Sequence, residues 1–304
     1  MKFCKFIVIA TACFALGGCA VVTRQPISQS DRQKISSDKL VVNTNQHEIK
    51  PDLGVDEFAA ASLPPADPRA VAGPADQPSL LGMLIVSAID NHRSHKIEDQ
   101  IAPIRSALND YDFMPTLQRA LTTQLQKVAW LKLNASELKY NLSNDVQSSM
   151  VQRANGKSIL FVDANYMLNK DFTALFVSAH VRLSRKDANN QTEKLYENYF
   201  VYVDHLDPSI KHREPALPLW TAKHGARLKV GLKLASEDLA WMIALDIRNP
   251  KLEQYASLTQ PEIKFKSDQD IPRQGKVIAK LGEQTVLRTA DGSLYAVNAN
   301  SLLG

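Results

Sequence analysis

The sequence predicts an α+β fold: an antiparallel β meander packed by amphipathic helices, with a small C-terminal β hairpin or meander unit. Three observations carry that prediction. Apolar residues recur at helical spacing from Ile97 to Val128, three strand-like runs follow between residues 159 and 206, and a helical period returns over 215–249. Helices on both sides of a meander, without strand–helix–strand alternation, place a helical layer on one sheet face.

The elements follow in chain order. Residues 1–18 read as an export signal: Lys2 and Lys5, an apolar stretch over 6–16, and small residues before Cys19. That stretch is too short to span a bilayer, which takes about 20 apolar residues. Residues 19–78 are expected to form a largely flexible, proline-rich tether. Residues 23–39 lack an apolar period, and Pro64, Pro65, Pro68, Pro74 and Pro78 favour extended chain. Residues 39–44 could be a short strand within it.

The globular α+β domain is expected over 79–252. Residues 80–89 are apolar almost all round and read as a buried helix or strand. Ile97, Ile101, Ile104 and Leu108 share one helix face, which Pro103 should kink or divide. Asp110 or Asp112 can cap the next helix, with Pro115 in its first turn and Phe113, Leu117, Leu121, Leu125 and Val128 as its stripe. A third helix over about 144–154 turns Val146, Met150, Val151 and Ala154 inward and stops at Asn155-Gly156. Strands over 159–168, 172–185 and 195–206 then make the meander, joined by Asn169-Lys170-Asp171 and by residues 187–192.

Pro215 or Pro218 opens a long helix that ends before Asn249-Pro250. Leu217, Trp220, His224, Leu228, Leu232, Ala235, Leu239 and Met242 keep its inward spacing. Gly225 and Gly231 weaken it, and Ser236 could cap a second piece. Residues 254–272 suggest a linker. The β tail, 262–304, holds strands over 277–281, 285–288 and 294–297, with a turn at Asp291-Gly292. It is too small to fold alone, so its apolar side chains must bury against the main domain or a partner.

Composition narrows the function. Cys4 and Cys13 leave with the signal, so Cys19 has no thiol to pair with, and stability must come from a core; 44% hydrophobic content allows one. Losing Lys2 and Lys5 lowers the formal charge from +4 to +2, too weak and dispersed for a nucleic-acid footprint. Gly156-Lys157-Ser158 lacks the earlier glycine of a phosphate loop and joins helix to strand, the reverse of the required order. The sequence has no Gly-x-Ser-x-Gly elbow, His-Glu-x-x-His pair or Gly-x-Gly-x-x-Gly turn. His92 and His95, with Arg93 between them, read as a solvated helix end, and His224 as a packed core histidine. No catalytic residue, metal or cofactor is expected.

One constellation offers chemistry. On the sheet face opposite the Leu175–Leu183 stripe lie Phe172, Phe176, His180 and Arg182. Neighbouring strands could add Asp163, Asn165 and either Asp204 or His205. This is a polar binding patch, an acid–base site if enclosed, or the water-facing side of a one-sided sheet.

Leu16-Gly17-Gly18-Cys19 resembles the lipobox of bacterial lipoproteins. The resemblance implies a diacylglyceryl group on the Cys19 thiol, cleavage before it, and an acyl chain such as palmitate on the new amine. Two or more chains make a stable anchor. Ala20, where sorting to the inner membrane would place Asp, implies the outer membrane, facing the periplasm. The order of elements from about Asp112 to Arg185 resembles the small α/β domains of curli-secretion lipoproteins, transporter auxiliary lipoproteins and lipoprotein activators of peptidoglycan synthases. That resemblance implies an anchored domain docking on another envelope protein. The expectation is therefore a non-enzymatic binding or assembly module of the cell envelope. The alternative is a periplasmic hydrolase whose site is not local in sequence.

Overall fold

The computed structural model describes residues 24–35, 38–44, 46, 49–51, 99–249, 262–267 and 271–303. Residues 1–18, read as an export signal, Cys19, residues 52–78, the apolar run over 80–89, and His92 and His95 lie outside them. The helices are α1 (Gln29–Lys34), α2 (99–107), α3 (Phe113–Leu125), α4 (Asn144–Arg153) and α5 (Arg213–Arg248). The strands are β1 (Asp38–Thr44), β2 (Lys50–Pro51), β3 (Leu133–Tyr140), β4 (Ser158–Leu168), β5 (Ala174–Lys186), β6 (Thr192–His205), β7 (Glu262–Lys266), β8 (Pro272–Leu281), β9 (Gln284–Arg288), β10 (Leu294–Val297) and β11 (Leu302–Leu303). They form one 11-stranded mixed sheet ordered β11-β7-β8-β9-β10-β6-β5-β4-β1-β3, with β2 beside β4. The fold is α+β.

The β4–β5–β6 meander is antiparallel throughout. Asn169 sets its first turn, its side-chain oxygen accepting from the amides of Thr173 and Ala174. The inward stripe of β5 (Leu175, Val177, Ala179, Val181 and Leu183) packs with Leu117, Leu121 and Leu125 of α3 and Leu228, Leu232 and Leu239 of α5. Asp112 caps α3 by accepting from the Met114 amide. In α4 Val151 is buried, whereas Val146, expected inward, is 42% exposed. α2 runs on through Pro103 without a break, burying Ile101 and Ile104.

Three points of chain organisation differ from the expectation or add to it. First, the segment expected as tether is built into the fold from Arg24 onward. β1 inserts between β3 and β4, parallel to both, and Leu40, Val41 and Val42 are fully buried. An apolar triplet without alternation suits a strand covered on both faces. Second, the C-terminal strands extend the main sheet: β10 runs parallel to β6, with Leu294 opposite Phe200. Val286, Leu294 and Ala296 join the main core, while Phe265, Leu287, Tyr295 and Val297 cover Phe176, Val201 and Val203 on the other face. Third, residues 262–266 of the expected linker form β7, and residues 250–261 lie outside the described residues.

The long helix breaks near Gly225. Lys223, His224 and Gly225 stand in succession at φ of 52°, 55° and 72°. A Cβ on Gly225 would sit 3.0 Å from the Ala107 side chain and 3.1 Å from its carbonyl oxygen, so glycine lets the helix pass the end of α2. The break turns His224 out to solvent, correcting the expectation of a packed core histidine. Ser236 caps nothing: its hydroxyl donates back to the Leu232 carbonyl within the helix.

The N-terminal segment is fastened by a buried polar cluster. The Arg24 Nε donates to both oxygens of Asp246, at 2.9 and 3.2 Å. Tyr196 and Asn198 donate to the same carboxylate at 2.7 and 2.9 Å. Burial, together with the neighbouring Asp246 charge, pushes the Tyr196 phenol well above its ordinary pKa, so it stays a donor. Backbone bonds tie Arg24 to Asp291 and Gln25 to Glu197. Gly292 leaves room for the arginine, since a Cβ there would meet Arg24 Cβ at 2.5 Å.

Candidate functional site

The outer face of the sheet is apolar at two ends and polar between them. At one end α4 sets Val151 over Val41, Ile159 and Phe161; at the other the C-terminal strands cover Phe176. Strand alternation brings Asp163, His180 and Arg182 to the face between, as expected, with Asp163 directly opposite His180.

Asp163 and Arg182 form an ion pair at 2.8 Å. The other Asp163 oxygen accepts from Asn43 of β1 at 2.7 Å and from Gln147 of α4 at 3.0 Å. Arg182 also donates to Gln147 at 2.7 Å and to Asn144 at 3.3 Å. Four elements thus converge on one carboxylate–guanidinium pair. Asn165 lies two residues along β4 on the same face, opposite Ser178, and takes no part in this lattice.

His180 Nε2 lies 2.9 Å from Glu197. Burial, with the Arg182 charge beside it, lowers the imidazole below its ordinary 6.5, against the pull of Glu197. At neutral pH the ring is uncharged. Burial raises the Glu197 carboxyl, but hydrogen bonds from Lys194 and His180 outweigh it and leave the carboxyl below its ordinary range. Ser178, two residues along the same face, makes no hydrogen bond to the imidazole among the described residues. Side chains of His180 and Arg182 retain 27% and 22% exposure, so the face is reachable from solvent.

The remaining residues expected here go elsewhere. Phe172 sits at φ 56° in the main core, its carbonyl accepting from the Trp220 indole. His205 is buried, 2.8 Å from the Ser301 hydroxyl and edge-on to Phe176. Asp204 faces the helices, because it pairs across from Leu175. There it accepts from Asn298 at 2.7 Å and lies 3.6 Å from Arg227, in a cleft of about 530 Å³ that Tyr202 and Asn300 also line. Burial raises the Asp204 carboxyl, opposed by Arg227 and Asn298.

Sequence reading missed Glu197, Asn43 and Gln147. Alternation in β6 could have found Glu197, which shares a face with Tyr199 opposite His180. Asn43 and Gln147 arrive through tertiary packing of β1 and α4, which local pattern does not carry. Among the described residues, no cluster of His, Cys, Asp and Glu could hold a metal ion, and no helix is long and apolar enough to cross a membrane. Compared with known proteins, the chain matches no family model, and no curated protein matches it.

Proposed function

We propose that this protein is a lipid-anchored module of the bacterial cell envelope, held in the outer membrane through acylated Cys19 and facing the periplasm. Its work is to bind or assemble another envelope protein without catalysing a reaction. The observation that carries the binding reading is the partly exposed Asp163–Arg182 pair, held by the buried side chains of Gln147 and Asn43. Its charges are fixed in place by neighbours from four elements. A rigid, solvent-facing pattern of charge suits recognition. An acid–base catalyst needs groups free to exchange protons with a substrate, and Asp163 is already engaged by three donors.

The experiment has two arms. Palmitate labelling should disappear in Cys19→Ser; label that persists contradicts the anchor. A photo-reactive side chain in place of Asn165 should give a discrete adduct to one envelope protein in intact cells. The adduct should be lost when Arg182→Glu reverses the charge. The hydrolase reading draws on the uncharged imidazole of His180 beside Glu197. Turnover of an ester or peptide substrate that is abolished by His180→Gln would favour it instead.

A further inference from the structure

We infer that the rim of the domain around Arg24 faces the lipid surface, so that the module is held against the membrane in one orientation. The inference rests on the anchor reading above and adds to it a direction. Arg24 lies five positions after Cys19 in the chain. A chain spans at most about 3.3–3.6 Å per residue, so Arg24 lies within about 18 Å of the lipidated cysteine.

Arg24 is not a loose point of attachment. Asp246 holds its side chain in the core, Asp291 accepts from its amide, and Gln25 pairs with Glu197 on β6. The Thr289–Ser293 turn therefore borders Arg24. The rim there is basic. Arg273 lies 4.0 Å from Asp291, Lys276 pairs across from Arg288, and Lys266 lies opposite Pro272. Arg248 is exposed at the end of α5, and among the described residues the acids near this rim are Asp291, Glu262 and Glu197, whose backbone pairs with Gln25. Such an excess of cations complements an anionic leaflet. The far end of β6 points away. Asn198 donates to Gly292 at 3.2 Å, and Asp207 lies two residues past the end of that strand, more than about 20 Å further along.

The absence of other thiols from the mature sequence makes a direct test possible. Ala290→Cys and Asp207→Cys, each at an exposed position, would carry a fluorophore on the lipidated chain. The chain is reconstituted in vesicles of phosphatidylethanolamine and phosphatidylglycerol that contain a nitroxide-headgroup quencher. The label at position 290 should be quenched at least twofold more than that at 207. Inserting twenty Gly/Ser residues between Ala20 and Val21, a coil of roughly 25 Å root-mean-square reach, should erase the difference. Equal or reversed quenching in the lipidated, uninserted chain overturns the orientation alone. A chain whose Cys19 carries no acyl group overturns the anchor, and the orientation with it.

Discussion

The Asp246 carboxylate accepts from Arg24, Tyr196 and Asn198 in a place that water does not reach. Removing one partner of a buried ion pair leaves the other charge unpaired, which costs more than the pair contributes. Asp246→Asn should therefore destabilise the fold by about 3 kcal/mol or more in urea unfolding, through the stranded Arg24. Asp238 on α5 shows the opposite case. Burial, and then the neighbouring Glu237 charge, raise its carboxyl from 3.8 to about 7. The folded chain then holds that proton more tightly than the unfolded chain does. This contribution to stability is present below about pH 4 and is lost as pH rises toward 7. Asp238→Asn should leave thermal stability nearly unchanged at pH 4 and raise it at pH 8, by on the order of 1 kcal/mol after discounting for partial exposure. An equal effect at both pH values would contradict the assignment.

At the scale of elements, periodicity carried the meander and most helix positions because one face of each element meets the same core. The alternating stripe of β5 placed His180 and Arg182 on the outer face, and the matching alternation of β4 placed Asp163 beside them. Two features escaped it. The break in α5 lies at residues 222–225, where left-handed residues rotate His224 out of a stripe that a continuous helix would have kept inside. Residues 39–44 read as a possible strand, but the place of β1 inside the sheet escaped because its partners, β3 and β4, lie far along the chain. The break also yields a prediction. Gly225→Ala adds a Cβ at positive φ against the Ala107 carbonyl, and should cost about 1–3 kcal/mol, measured as a lowered urea midpoint. An unchanged midpoint would mean that α2 and α5 can move apart freely.

For the whole molecule, the decisive fact is that the segment from Arg24 to Thr44 is part of the architecture. β1 lies between β3 and β4, and α1 fastens its approach: Arg32 donates to the Ile247 and Arg248 carbonyls, and Asp31 pairs with Arg185. A chain that starts at Ser79 should therefore fail to fold, showing exposed apolar surface by dye binding, whereas one that starts at Ala20 should unfold cooperatively. In the proposed reading, a lipid anchor at Cys19 adjoins a domain that folds around residues from Arg24 onward. The mass of the N-terminal peptide, taken from membranes of cells making the full chain, tests that claim most directly. The expected peptide begins at Cys19 and carries a diacylglyceryl group and an amide-linked acyl chain. A peptide that continues upstream of Cys19, or one with a free thiol there, would contradict it.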